Sequence, residues 1–274
     1  MNRILAIIQL TFRESLAKRT FLAFLGISTF ICLLFLFALN LDIVDAAESY
    51  VSIFGQEIDR AFQLDQVIVS IESAIAVALF TAGLFMSLFA TSSLIPSFLD
   101  KGSIDLMISK PLSRFQILLG RYLGAVTIVA FNIFYLIIFS WLILSIKTGI
   151  WNFGFLMAGV MIVVTFAILF ALMTLLSVIV RSGPFALMIT YLILFFSPLL
   201  LQRDHIYALL SSKFYGYVLD GLYHFLPKTA ELGRITEELV RGVSVYSWLP
   251  LGTSLGFGVL MFAASALIFN RKNF

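Results

Sequence analysis

Six stretches of this chain, residues 21–41, 73–95, 123–146, 153–180, 184–201 and 250–269, contain no Asp, Glu, Lys or Arg. All 18 basic and 15 acidic residues fall in the remaining half of the 274 residues. The stretches are 18 to 28 residues long, and a helix needs roughly 20 residues to cross a hydrocarbon core about 30 Å thick. Ionised groups are excluded from such segments because lipid cannot solvate them. The chain is therefore expected to be an all-α integral membrane protein with six transmembrane helices. Its 61% hydrophobic content and 29 Phe exceed what a water-soluble core absorbs.

The first apolar run, from Phe21, follows an amphipathic segment and lacks a small-residue cleavage site, so it reads as a retained span rather than a signal peptide. Cys32, the one cysteine, lies inside that span and reads as a small packing residue. If both termini are cytoplasmic, the inside segments 1–20, 96–122, 181–183 and 270–274 carry 11 basic side chains in 55 residues. The outside segments 42–72, 147–152 and 202–249 then carry 7 basic and 12 acidic residues in 85. The positive-inside rule favours this orientation, and Trp141, Trp151 and Trp248 fall near the outer boundaries where amphipathic rings settle.

Residues 2–19 place Ile4, Ile8, Phe12 and Leu16 at fourfold spacing, with Leu5 beside them and Arg3, Arg13, Lys18 and Arg19 on other faces. That pattern predicts a basic amphipathic helix along the inner surface, with Glu14 one turn before Lys18. The inside loop 96–122 predicts two short helices. Ser103 can cap the first, with Asp105 in its opening turn, and Pro111 stops it. Ser113 and Gln116 have capping-box spacing and open a second helix that runs into the third span.

The run Asp100-Lys-Gly-Ser-Ile-Asp-Leu-Met-Ile-Ser-Lys-Pro-Leu-Ser-Arg114, followed by Gln116-Ile-Leu-Leu-Gly-Arg-Tyr-Leu-Gly124, resembles the cytoplasmic loop of the permease subunits of type-2 ABC transporters. Ser103 stands where that family usually has Thr, and Arg121 where Lys is usual. The plan of the rest is also similar: an amphipathic N-terminal elbow helix, six spans and a longer outer segment before the last one. The resemblance implies a permease domain, residues 1–274, that binds two copies of a separate cytosolic ATPase and pairs with a second permease copy or homologue in the cytoplasmic membrane of a bacterium or archaeon. On that implication the loop carries a coupling helix, with Asp100, Lys101, Ser103, Asp105, Lys110, Pro111, Ser113 and Arg114 at the ATPase contact. Arg13 and Glu14 on the elbow helix join the same interface.

No phosphate-cradling Gly-x-x-x-x-Gly-Lys-Ser/Thr occurs in the chain, so ATP and Mg are expected on the partner and no cofactor here. No catalytic residue and no metal site is expected. His205 and His224, with Asp220 a turn from the latter, lack a recognisable ligand spacing, and Met157 with Met161 reads as helix packing.

The segment 202–249 repeats helical spacing through Ile206, Leu209, Leu210, Phe214, Val218 and Leu222, and again through Leu232, Ile235, Leu239 and Val240 after Pro227. It predicts two amphipathic or re-entrant helices on the outer face. Residues 42–72 carry a similar stripe, Val51, Phe54, Ile58 and Phe62, with their acids available to water. Within the spans, Asn132, Ser140, Thr165, Thr174 and Thr190 read as interhelical or back-bonding groups, and Gly120-x-x-x-Gly124 and Gly252-x-x-x-Gly256 as sites of close helix approach. Spans without embedded charge point to an apolar, amphiphilic or bulky cargo, or to work passed to a partner outside the membrane. The functional expectation is an ATP-driven exporter subunit. The alternative is a non-transporting adaptor that drives an extracytoplasmic partner. No nucleic-acid partner is expected.

Overall fold

The computed structural model describes residues 2–16, 19–38, 60–99, 113–202 and 213–272, and among these the regular structure is entirely helical. In chain order the helices are α1 (Asn2–Leu16), α2 (Arg19–Ala38), α3 (Arg60–Ala78), a π-helical turn (Leu79–Gly83), α4 (Leu84–Thr91), α5 (Leu94–Leu99), α6 (Arg114–Thr148), α7 (Phe153–Val180), α8 (Gly183–Leu201), α9 (Lys213–Phe225), α10 (Thr229–Val240) and α11 (Leu249–Arg271). Among the described residues, five helical segments are long and apolar enough to cross a membrane: Asp65–Leu99, Arg114–Thr148, Phe153–Val180, Gly183–Leu201 and Leu249–Arg271. A sixth helix, α2, carries the shorter apolar run Phe21–Leu34.

The most buried helix is α7, with Phe155, Phe166 and Phe170 fully enclosed. It takes α6 and α11 along its sides, with α8 and α10 beside them. The local signals are plain. Ser113 accepts a hydrogen bond from the Gln116 amide while the Gln116 side chain accepts from the Ser113 amide, closing the capping box that starts α6. Such a cap stabilises a helix by about 1 kcal/mol. Gly149, at φ 76°, ends α6 in the left-handed conformation that glycine adopts without steric cost. Asn152 caps α7 through the Gly154 amide, and Ser182 caps α8 through Phe185.

Three sequence expectations shift. Residues 60–72 are not part of a separate surface segment but continue the second apolar stretch as one helical rod, so Asp65 and Glu72 ride on it. The rest of that stripe, Val51, Phe54 and Ile58, lies outside the described residues, as does His205. On α1 the packed face centres on Ile7 and Thr11, with Ile8 and Phe12 only half-buried and Leu5 exposed, because the groove that receives α1 is cut by two glycines of α6. A Cβ on Gly120 would stand 2.8 Å from Ile7, and one on Gly124 would stand 2.7 Å from Thr11. Gly252 and Gly256, with the same spacing, have nothing within 4 Å of such a Cβ.

Several intramembrane polar groups find the partners that a medium without water calls for. Ser28 of α2 donates to Asn132 Oδ1 of α6 at 2.8 Å. Thr165, Thr174, Thr190 and Ser140 donate to carbonyls one turn back, on Met161, Phe170, Ala186 and Leu136. Met157 is 54% exposed while Met161 is 5% exposed, so the two do not share a buried path.

Candidate functional site

The stems of the 100–112 connection are held by side chains from several helices. On the entering side, the Phe98 ring of α5 lies 5.8 Å from the Phe269 ring at the end of α11. The Arg121 guanidinium stands over the same Phe98 ring, 5.6 Å from its centroid. Arg121 is buried within α6 and forms an ion pair with Glu14 of α1. On the leaving side, the Arg114 guanidinium donates to the Lys272 carbonyl at 2.6 Å and to the Phe269 and Asn270 carbonyls at 3.4 Å. Lys272 in turn places its ammonium 2.9 Å from both the Val178 and Ile179 carbonyls of α7. Two helix C-termini, each with unsatisfied carbonyls and a partial negative charge, are thereby capped by cations. Beside them, a Cβ at Gly183 would meet the Ser92 carbonyl oxygen at 2.8 Å, so the α7–α8 turn is pressed against the α4–α5 break.

Of the predicted contact residues, Asp100, Lys101, Ser103, Asp105, Lys110 and Pro111 lie outside the described residues, as does Lys18. Ser113 serves as the α6 cap and Arg114 as the clamp on the end of α11. Arg13 is exposed on α1. Glu14 is engaged by Arg121. Sequence reasoning took Arg121 as a motif position only and passed over Phe98 and Lys272. The available signal was a charge, Arg121, set between the two glycines of a close-approach motif.

At the opposite end of the bundle, α10 is nested among the spans. Its first turn is capped by serines from two of them: Ser254 of α11 accepts from the Lys228 amide and Ser197 of α8 accepts from the Ala230 amide, both at 3.0 Å. Its last turn is held by Asn152, whose Nδ2 donates to the Val240 carbonyl at 2.8 Å and to Glu72 Oε2 at 2.7 Å. Helices α9 and α10 fall in the two segments predicted after residue 202; Leu232, Ile235 and Val240 are buried, Leu222 is exposed, and Ile206, Leu209 and Leu210 lie outside the described residues. A cavity of about 530 Å³ opens between the π-helical turn, α8 and α10, lined by Phe80, Phe85, Phe195 and Pro198 with Glu237 at its edge. The π-helical turn and Pro198 both line it. Single π turns recur at functional sites. His224 Nδ1 lies 2.8 Å from the Asp220 backbone oxygen, not its carboxylate. Among the described residues no group of three His, Cys, Asp or Glu could hold a metal ion.

Fold and site together define an integral, multi-pass helical membrane protein whose 100–112 connection is braced at both stems. The chain belongs to the ABC-2 transporter family, for residues 5–274 match the family described as ABC-2 family transporter protein. It is accordingly a transmembrane subunit of an ABC transporter, as the loop resemblance implied. No curated protein matches the chain.

Proposed function

We propose that this chain is the permease half of an ATP-driven exporter and takes its drive from a separate cytosolic ATPase seated on the 100–112 loop. The observation that carries this is the family match over residues 5–274. The bracing of both loop stems supports it, because a loop that receives force must be attached to rigid elements to transmit it. The seat comprises Asp100, Lys101, Ser103, Asp105, Lys110 and Pro111, with Arg13 of the elbow helix beside it. Ser113, Arg114 and Glu14 support the seat by holding its stems. ATP closure and reopening of the ATPase dimer would move the loop, and α5, α6 and α1 would carry the motion into the bundle.

In the same reading α2 is a sixth span and both termini are cytosolic. The 20-residue α2 runs beside α6, from Ser28 at Asn132 to Leu36, whose carbonyl accepts from Lys147 Nζ at 2.6 Å near the far end of α6. The cavity of about 530 Å³, lined mostly by apolar side chains, fits an amphiphilic or apolar cargo, and a second permease copy completes the transporter.

The test is copurification from native membrane. Reversing charge at Asp105 and Lys110 together is expected to remove the ATPase from the purified complex while insertion and yield stay unchanged, and undiminished copurification would sink the assignment. ATP-dependent cargo movement in reconstituted vesicles supports the exporter. ATP turnover with nothing moved supports the adaptor instead.

A further inference from the structure

We propose that Glu72 is a proton-binding latch that holds α10 against the bundle and releases it when the proton leaves. The inference depends only on the fold and is independent of which ATPase or cargo the chain serves.

Glu72 is fully buried, and its Oε1 has no hydrogen-bond partner. Its Oε2 accepts a single bond, from Asn152 Nδ2. Asn152 has nothing further to give. Its Oδ1 accepts from the Gly154 amide as the α7 cap, which fixes the orientation of the amide, and its two Nδ2 hydrogens go to Glu72 and the Val240 carbonyl. One carboxamide thus ties the second apolar rod, the start of α7 and the last turn of α10 into one junction. The fit is tight, since a Cβ at Gly154 would fall 2.1 Å from the Leu239 carbonyl oxygen.

The surrounding charges are committed elsewhere. On α10 Arg234 pairs with Glu238 at 2.9 Å, and Arg241, just past its end, pairs with Glu237 at 2.7 Å. Glu231 accepts from the Tyr223 hydroxyl. Arg241 Nε reaches Ser73 at 3.4 Å, next to Glu72 but not bonded to it. Helix α7 carries no titratable group facing α3, the π-helical turn carries none, and Asp65, on the same rod as Glu72, is exposed.

A neutral carboxyl keeps its Asn152 bond through Oε2 and places no charge in this enclosure. An ionised one leaves a charged oxygen with no donor, an arrangement that buried sites do not sustain. Water or the Arg241 guanidinium can reach Oε1 only if the junction loosens and α10 moves. Because α10 is one wall of the apolar cavity, proton loss at Glu72 opens that wall.

The experiment uses the full chain in lipid nanodiscs, with Cys32 replaced by Ser and a nitroxide on Ser244→Cys just beyond α10. Spin-label mobility is followed between about pH 5 and pH 9, the range over which a buried carboxyl can titrate. The expected result is an immobile label at the acid end and a mobile one at the alkaline end, with the ratio of the two populations changing about tenfold per pH unit as a single proton demands. Glu72→Gln, a neutral isostere that keeps an oxygen for Asn152, is expected to stay immobile throughout, and Glu72→Ala to be mobile throughout. Infrared difference spectra of the unmodified chain against Glu72→Gln are expected to show a protonated carboxyl band that fades over the same range. A label whose mobility ignores pH, or a Glu72→Gln label that follows the same curve as the parent, overturns the proposal. If Glu72→Ala fails to fold, the Glu72→Gln and infrared measurements still decide.

Discussion

Glu14 on α1 and Arg121 on α6 form an ion pair across 107 residues of sequence, the arginine side chain 5% exposed and the glutamate 35%. The pair fastens the N-terminal helix to the helix that leaves the 100–112 loop, on the same turn of α6 that carries the Gly120 notch. Removing either partner leaves a charge without its counterpart. Because Glu14 keeps contact with solvent, Glu14→Gln is expected to cost about 1–3 kcal/mol, below the range of a fully enclosed pair. Arg121→Gln also loses the contact with Phe98 and is expected to cost more. Thermal unfolding in detergent measures both, and the double replacement of Glu14→Leu with Arg121→Met should recover much of the loss, since it removes both charges at once.

The two glycine motifs predict opposite outcomes for the same substitution. Gly124→Ala brings a methyl to 2.7 Å from the Thr11 Cβ, so α1 must shift, at a cost of about 1–3 kcal/mol for overpacking. Gly256→Ala meets nothing within 4 Å of its own chain and gains up to about 1 kcal/mol of helix propensity. Parallel unfolding curves of the purified protomer decide the contrast.

The capping box of Ser113 and Gln116 was legible because its information is local: two residues three apart, next to a proline. The apolar rods were legible for a similar reason, since solvation acts on each stretch independently. Gly120-x-x-x-Gly124 was legible only in part. The spelling announces a close approach, but the identity of the approaching helix is tertiary information, and an identical spelling at Gly252 and Gly256 faces open space. Glu72 was hidden by a boundary effect. A charge at the margin of an apolar stretch looks like the beginning of a loop, yet a helix continues past that margin wherever its polar side chains find partners, and Asn152 supplies one. The clamp of Arg114 on Phe269, Asn270 and Lys272 joins backbone carbonyls 155 or more residues away, and carbonyls leave no mark in a sequence.

Asn152 offers a sharper test than a cap usually does. Asn, Asp and Ser are nearly equivalent as helix N-caps, so on capping alone Asn152→Asp and Asn152→Ser should be alike. Here the amide nitrogen donates to both Glu72 and Val240. Asp retains the acceptor for Gly154 but loses both donors and sets a second carboxyl against Glu72. Asn152→Asp is therefore expected to be the more destabilising by about 1–3 kcal/mol at neutral pH, a gap that should narrow in acid as the added charge is removed. Unfolding midpoints of the two variants at two pH values provide the measurement.

Arg114 holds three carbonyls of the last turn of α11 with a single guanidinium, while Lys272 from that same turn reaches back to α7. The leaving stem of the 100–112 loop and the end of α11 are thus one mechanical unit, and loosening one should loosen the other. Arg114→Ala is expected to raise hydrogen exchange at residues 269–272 about tenfold, which corresponds to roughly 1.4 kcal/mol of lost protection, the scale of a charged hydrogen bond. Arg114→Lys keeps the charge but not the fork of donors, so its exchange should fall between the two. Exchange in α9, at the far end of the bundle, should not change in either variant. If Arg114→Ala leaves the last turn protected while ATPase copurification falls, the side chain acts at the partner contact itself; if exchange rises first and copurification falls with it, Arg114 acts by fixing the stem on which the partner sits.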